Sequence, residues 1–310
     1  MKNTRIVFMG TPEFASNVLE GLIQNGYNIV GVVTQADKKI GRKQILTYTK
    51  VKEVALKYDI KVLQPIKIRE DYEDILALEP ELIITCAYGQ IIPSALLDYP
   101  KYGCINTHGS LLPKYRGGAP IQWSIINGDK ETGITIMYMD KKMDEGDILF
   151  QEKLAIELED TNASMFAKLS DLALKMLLEH LDDIISGNIN PVKQDHTIAT
   201  YAYNLKKEDE LISFNRDYMT VYNHIRGLLD NPGAYSIIDG KKIKFHKVRC
   251  TDEVLVNPGV VYGIHNGGLL IGAINGSIIV DEIQSEGKNK MNAKDFFNGA
   301  GKNLVNKMFI

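Results

Sequence analysis

The chain has 310 residues, 45% of them hydrophobic and 24% charged, with a formal net charge of −3. That length gives one large or two ordinary domains with ample core, and the composition is that of a soluble globular protein. The net charge argues against a globally basic nucleic-acid binder. The three scattered cysteines, Cys86, Cys104 and Cys250, exclude a disulfide framework or a zinc cluster and point to a reduced, cytoplasmic setting.

Residues 1–10 run straight into an apolar stretch with no signal-peptide core or cleavage site. No run of about 18 apolar residues is present, so no membrane span is expected. Residues 5–9 form an apolar run that stops at Gly10-Thr11-Pro12-Glu13, and Phe14, Val18, Leu19, Leu22 and Ile23 then fall at helical spacing over 14–25. Pro12 and Glu13 suit a first helical turn. Residues 27–34 supply the next strand, so the chain begins as the first half of a doubly wound α/β fold. The turn after the first strand lacks the G-x-G-x-x-G glycines that admit a pyrophosphate. The topology is therefore read as a scaffold only.

From Gln35 the character changes. Residues 37–57 hold seven Lys and Arg, among them Lys38, Lys39, Arg42 and Lys43, against two acids, in a stretch without clear period. By charge alone it is a solvated loop. Helices are expected at 51–58 and 71–78, a short strand at 61–63, and a buried strand at 81–87 by its continuous apolar run. That strand empties into Tyr88-Gly89-Gln90-Ile91-Ile92-Pro93, at a carboxyl strand end where α/β folds place ligands.

Residues 103–147 hold the groups suited to chemistry. Asn106 and His108 are two apart, so on an extended strand end they point to the same side. Asp144 follows the β-type run 133–139 and is placed to orient the imidazole and hold its charged form. An amide donor, an imidazole and a carboxylate make a general acid/base set with an oxyanion donor. Taken singly, each has a plain alternative: a structural histidine, an asparagine serving a turn, an aspartate in a turn.

Residues 148–158 add strand. Residues 162–186 form an amphipathic helix with Met165, Leu169, Leu172, Met176 and Leu177 on a core-facing stripe. The first domain is expected to span 1–190, followed by a polar linker over 191–205. Residues 206–310 carry 14 Lys and Arg against 12 Asp and Glu, which makes them the mildly basic part of the chain. There the pattern turns to short strands at 234–238, 242–248, 259–262, 269–272 and 277–283, with helical spacing once, at 219–229. A small β-barrel is the expected architecture. Its lysines and arginines, Lys242, Lys244, Lys247 and Arg249 among them, make either a stripe for a nucleic-acid backbone or a solvated exterior.

The segment Ser110-Leu-Leu-Pro-Lys-Tyr-Arg-Gly117, preceded by Asn106-x-His108 and followed by Asp144-x-Gly146, resembles the signature of the folate-dependent formyltransferases. The longer string from Gly109 to Gln122 is similar to that of the methionyl-tRNA formyltransferases within that family. The resemblance covers nearly the whole chain, from Gly10-Thr-Pro-Glu-Phe14 to the tail with Asp295-Phe-Phe-Asn-Gly-Ala300.

It implies an α/β, Rossmann-like formyltransferase domain followed by a small C-terminal OB-like β-barrel that binds tRNA. It implies transfer of a formyl group from 10-formyltetrahydrofolate to the amino group of methionyl initiator tRNA, for translation initiation. It implies Asn106, His108 and Asp144 as catalytic residues, and Ser110, Leu111, Leu112, Pro113, Tyr88, Gln90, Ile91 and Ile92 as folate-binding ones. The basic stretch becomes a tRNA-binding loop with Arg42 as its key residue and Lys38, Lys39 and Lys43 on phosphates. No metal, membrane or obligate protein partner is implied. Arg116 either binds an anionic part of a substrate or pairs with a carboxylate in the fold.

Other acceptors stay open with the same co-substrate: water, a sugar nucleotide or a purine precursor. The purine enzymes lack a C-terminal domain, and the hydrolases normally continue into a dehydrogenase region. A nucleotide- or RNA-binding module without activity would leave Asn106, His108 and Asp144 without a purpose.

Overall fold

Continuous apolar runs build the inner strands of the first sheet, because a strand covered on both faces has no solvent side to make polar. In the computed structural model the described residues are 2–41 and 43–310; Arg42 lies outside them. The chain forms two units, one of residues 1–120, 132–155 and 166–203, the other of 121–131, 156–165 and 204–310.

The first unit runs β1 (Ile6–Gly10), α1 (Glu13–Gln24), β2 (Ile29–Val33), β3 (Lys38–Ile40), β4 (Ile45–Thr47), α2 (Lys50–Lys57), β5 (Val62–Leu63), α3 (Glu73–Leu76), β6 (Leu82–Cys86), α4 (Ser94–Leu97) and β7 (Cys104–His108). After α5 (Pro120–Ile126) come β8 (Glu131–Tyr138), β9 (Ile148–Ala155) and α6 (Asn162–Ser186). Seven strands form one sheet in the order β5-β2-β1-β6-β7-β8-β9. The pairs β1/β2, β1/β6, β2/β5 and β6/β7 are parallel and β7/β8 is antiparallel. Val7, Met9, Val33, Ile83 and Cys104 share a core cluster with Ile75 of α3 and Leu96 of α4. Along α6, Leu169, Leu172, Met176 and Leu177 are buried, as the 3.6-residue stripe requires. Ser170 of the same helix donates to the Phe14 carbonyl at 2.9 Å.

The basic stretch is more ordered than its charge suggested. β3 and β4 form an antiparallel hairpin with Lys38 opposite Thr47 and Lys39 opposite Leu46. At its root Lys52 Nζ donates to Asp37 Oδ2 at 2.6 Å and to Gln64 Oε1 at 2.8 Å, and sits 4.2 Å from the Tyr48 ring centroid. Asp37 and Gln64 are 15 and 12 residues from Lys52, so no local period could report those two hydrogen bonds.

The second unit contains α7 (Tyr218–Leu228), β10 (Ala234–Ile238), β11 (Lys241–Thr251), β12 (Val261–His265), β13 (Gly268–Ala273), β14 (Gly276–Ser285), β15 (Met291–Asn292) and α8 (Ala293–Asn298). The sheet order is β10-β11-β14-β13-β12, with β15 on β14. Phe214, Phe245 and Phe309 meet at ring centroid distances of 5.5 to 5.8 Å in its core. Four of the five expected strands stand close to where the short apolar runs placed them and β12 begins two residues later than expected, but the sheet is not a closed barrel: β10 and β12 are its two ends. The chain's last residues hydrogen-bond to both ends instead. Lys307 O accepts from Val261 N at 2.9 Å, and Ile310 N donates to Ile237 O at 3.1 Å. On β11, Lys242 and Lys244 alternate with buried Ile243 and Phe245, so these lysines lie on the face away from the core. Arg249 further along is paired with Asp281 at 2.7 Å, which dilutes the basic stripe. Among the described residues no helix is long and apolar enough to cross a membrane.

Candidate active site

The parallel strands β6 and β7 end side by side, with Thr85 in register with Asn106. Asn106 and His108, alternate residues of β7, share one side of the sheet. Thr85 Oγ1 donates to Asn106 Oδ1 at 2.9 Å. That hydroxyl holds the carbonyl end of the amide, so the end left for a ligand is the Nδ2 donor.

His108 is buried, and its Nε2 lies 2.9 Å from the Tyr115 carbonyl oxygen. A carbonyl only accepts, so Nε2 carries a proton and Nδ1 is the ring nitrogen available for exchange. Nδ1 faces Asp144 Oδ1 at 3.7 Å, a charge-pair distance and longer than a hydrogen bond. The other carboxylate oxygen, Oδ2, accepts from Gly117 N at 2.8 Å. One three-residue segment, 115–117, therefore orients both members of the pair.

The loop that carries Asp144 is held in an uncommon shape. Asp144 has φ +54°, in the left-handed region, where a non-glycine residue costs roughly 1–3 kcal/mol. A Cβ on Gly146 would lie 1.9 Å from the Tyr138 carbonyl oxygen, so no side chain fits there. Gln194 Nε2 donates to the carbonyls of Asp144 and Gly146, both at 2.8 Å. Its Oε1 accepts from Arg116 Nε at 3.1 Å and Nη2 at 2.8 Å.

Arg116, 1% exposed, also faces Glu145 Oε1 at 3.4 Å and donates to His196 Nδ1 at 3.1 Å. Of its two possible roles, the structure shows the pairing within the fold. Residues 200–202 supply further backbone bonds to this loop: Arg116 N donates to Thr200 O at 2.9 Å and Ala202 N to Arg116 O at 2.8 Å.

Ser110, Leu111, Leu112 and Pro113 form a tight loop beside His108. Ser110 Oγ donates to Lys114 O at 2.6 Å, and Thr135 Oγ1 donates to Ser110 O at 2.6 Å. Gln151 Nε2 donates to Leu112 O at 3.0 Å. Ser110 and Leu112 are buried, while Leu111 and Pro113 keep some exposure. In the loop after β6, Tyr88 and Ile92 sit in the core cluster and Ile91 is 59% exposed. Gln90 Oε1 accepts from Ile68 N at 3.0 Å. The Tyr88 hydroxyl is buried with no hydrogen-bond partner among the described residues, and burial pushes its ionisation up to about 12.

Lys38, Lys39 and Lys43 are exposed on or beside the β3–β4 hairpin, and neither a hydrogen bond nor an ion pair joins them to the Asn106, His108 and Asp144 group among the described residues. Burial pushes the Cys86 thiol up to about 12 and that of Cys104 upward as well, so neither is a thiolate nucleophile at neutral pH. Among the described residues no group of three or more His, Cys, Asp or Glu is arranged to hold a metal ion.

Sequence reasoning missed Thr85, Thr135, Gln151 and Gln194. Thr85 had a signal, a hydroxyl inside an otherwise apolar run; Gln194, one polar residue in a polar linker, had none. The arrangement presents a fixed amide donor, an imidazole with one nitrogen committed to a carbonyl, and a carboxylate beside the other nitrogen. It can stabilise a developing oxyanion and move a proton.

Comparison with known proteins places the whole chain in a family. The model of the family described as "Formyl transferase" matches residues 4–181, and that of "Formyl transferase, C-terminal domain" matches residues 204–301. Methionyl-tRNA formyltransferase of Bacillus mycoides (strain KBAB4) is 45% identical over 310 residues, covering 98% of each chain. That of Bacillus subtilis (strain 168) is 47% identical over 301 residues, 96% of this chain and 95% of the relative.

Among solved structures, HypX from Aquifex aeolicus in complex with tetrahydrofolic acid matches with a TM-score of 0.69 at 17% identity; the match covers 98% of this chain, which spans about half of HypX (48%). WlaRD, a sugar 3N-formyl transferase, matches with a TM-score of 0.68 at 21% identity over 92% of this chain and 99% of that one. These two likenesses show the fold, a formyltransferase α/β domain followed by an antiparallel domain. With both family models matched in order and near-full-length identity of 45% and 47% to the two bacillary relatives, this chain belongs to the methionyl-tRNA formyltransferase family.

Proposed function

We propose that this protein transfers the formyl group of 10-formyltetrahydrofolate to the free amino group of methionyl initiator tRNA, in the cytoplasm, for translation initiation. The observation that carries this reading is the joint anchoring of His108 and Asp144 by Tyr115 and Gly117 beside the Asn106 amide. The neutral methionyl amine attacks the formyl carbon; a C–N bond forms there as the bond to the folate nitrogen breaks. Negative charge developing on the formyl oxygen needs donors, and Asn106 Nδ2 supplies one. The amine must lose a proton and the departing nitrogen must gain one. His108 Nδ1 is the group that moves it, and Asp144 steadies the imidazolium formed on the way. No side-chain nucleophile takes part, in keeping with the buried, un-ionised thiols of Cys86 and Cys104. Loss of one such group costs on the order of a hundredfold or more in rate.

In this reading Ser110 to Pro113 and the segment from Tyr88 to Ile92 wall the folate site. Gln90, Ile91, Leu111 and Pro113 keep surface for contact, while Ser110, Leu112, Tyr88 and Ile92 are buried and set the shape of their loops. The hairpin brings Lys38, Lys39 and Lys43 to the tRNA, and Arg42, outside the described residues, is assigned to the tRNA by the sequence resemblance alone. Residues 206–310, taken as an OB-like domain after a linker at 191–205, add phosphate contacts from Lys242 and Lys244; such contacts supply affinity and no sequence reading.

The test is formyl transfer by purified protein from 10-formyltetrahydrofolate to charged initiator Met-tRNA, with free methionine, an amino-sugar nucleotide and water as competing acceptors. Formyl on the tRNA, lost in His108→Ala, is the expected result. Folate turnover with no formyl on the tRNA would assign the protein to hydrolysis or to another acceptor.

A further inference from the structure

Gln194 touches neither His108 nor the Asp144 carboxylate, yet both of its side-chain donors are spent on the loop that presents that carboxylate. Both of its amide hydrogens go to the flanking carbonyls of Asp144 and Gly146, at 2.8 Å each. Both lone pairs of Oε1 are taken by the buried Arg116 guanidinium, at 2.8 and 3.1 Å. Arg116 is itself fixed on every side: by Glu145 at 3.4 Å, by His196 at 3.1 Å, and through its backbone by Thr200 and Ala202.

Because Arg116 stands between Tyr115, whose carbonyl holds His108, and Gly117, whose N–H holds Asp144, the histidine and the aspartate loop are referenced to one rigid group. The loop needs such a restraint. Asp144 is in the left-handed region at φ +54°, which persists only where the surroundings over-determine it. Relaxation of that backbone would carry the carboxylate away from His108 Nδ1, from which it already stands 3.7 Å.

We infer that Gln194, backed by Arg116, is a positioning residue of the catalytic pair, holding Asp144 in register with His108. The inference rests on the proposed roles of His108 and Asp144. It gives residues 191–205 a part in the chemistry: the segment between the two family matches supplies the clamp for the site.

The decisive variant is Gln194→Glu. A carboxylate still accepts from Arg116, but it replaces the donors to Asp144 O and Gly146 O with an oxygen that repels both carbonyls. Gln194→Met removes the same donors without adding charge, and with them the acceptor for Arg116 Nε and Nη2, so the two variants share only the loss of the donors. With full-length protein, initiator Met-tRNA and 10-formyltetrahydrofolate, both should lower kcat by about 10- to 100-fold with little change in either KM, since an error of about 1 Å in placement is worth that much. Arg116→Lys, which keeps one donor to Gln194, should lose less.

The second measurement is the double variant. On an Asp144→Ala background Gln194→Glu should cost nothing more, and its pH profile should match that of Asp144→Ala alone. A purely structural role would lower the melting temperature and reduce activity equally on either background. Unchanged kcat in both Gln194 variants, or losses that add to that of Asp144→Ala, would overturn the inference while leaving the site assignment standing. Full activity in Asp144→Ala would overturn both.

Discussion

Thr85 and Asn106 stand opposite each other on adjacent parallel strands, and the buried Thr85 hydroxyl donates to the Asn106 amide oxygen at 2.9 Å. The contact engages the oxygen of the amide and leaves its Nδ2 donor as the end that would meet a substrate in the proposed reaction. Without it the amide is free to rotate and present its oxygen to an oxyanion. Thr85→Val, close in shape but without the hydroxyl, should lower kcat by about tenfold, the size of one hydrogen bond, and leave KM for both substrates near its original value. Thr85→Ser should restore most of the rate. Single-turnover formylation is the assay; a rate for Thr85→Val equal to that of the unmodified protein would remove Thr85 from the account.

Gly146 is required by space and not by an unusual φ. Its absent Cβ would meet the Tyr138 carbonyl oxygen at 1.9 Å, and backbone cannot yield as a flexible side chain can. Gly146→Ala should destabilise the protein by about 1–3 kcal/mol and displace the neighbouring Asp144, so activity falls further than stability does. Urea denaturation and formyl transfer measured side by side test this; a variant as stable as the parent would show that the loop moves aside at no cost.

The hairpin lysines act, on the reading above, through phosphates. A Lys38→Ala, Lys39→Ala double variant should weaken tRNA binding and leave the KM for folate unchanged. The dependence of log affinity on log salt should become shallower by about one for each phosphate left without its lysine. Filter binding at several salt concentrations reads both quantities, and an unaltered salt slope would show that these lysines do not meet the tRNA.

At the hairpin root, the hydrogen bonds from Lys52 and Gln64 hold the Asp37 carboxyl below its usual range. A carboxylate lowered on folding contributes stability in full above its unfolded value, about 3.9, and loses that contribution as pH falls through the lowered folded value. Asp37→Asn should therefore destabilise at pH 7 and bring the two proteins together toward pH 2. Urea titrations at pH 7, 4 and 2 would detect this. A constant difference across that range would mean that the charge on Asp37 contributes nothing.

Much of the fold could be read along the chain. Apolar runs at 5–9 and 81–87 became β1 and β6 to within a residue at either end, because strands buried on both faces leave no other pattern. The stripe over 162–186 became α6 with the same ends. The hairpin β3–β4 was hidden because its exposed lysines mask the alternation. The open sheet of the second unit was hidden because strand count does not tell whether the end strands pair, and here the C-terminal residues bond to both.

The site divides in the same way. Sequence by itself determined the family and singled out Asn106, His108 and Asp144 as candidates, since their residue types and their spacing around Ser110 to Gly117 are local properties. It could not determine what orients them. Thr85 is 21 residues from Asn106, Gly117 is 27 from Asp144, and Gln194 is 78 from Arg116. Those hydrogen bonds exist only once the strands, the loop at 144–146 and Gln194 have been brought together. Chemistry needs residue types, which the chain carries openly; orientation needs distances and angles, and those arise only from packing.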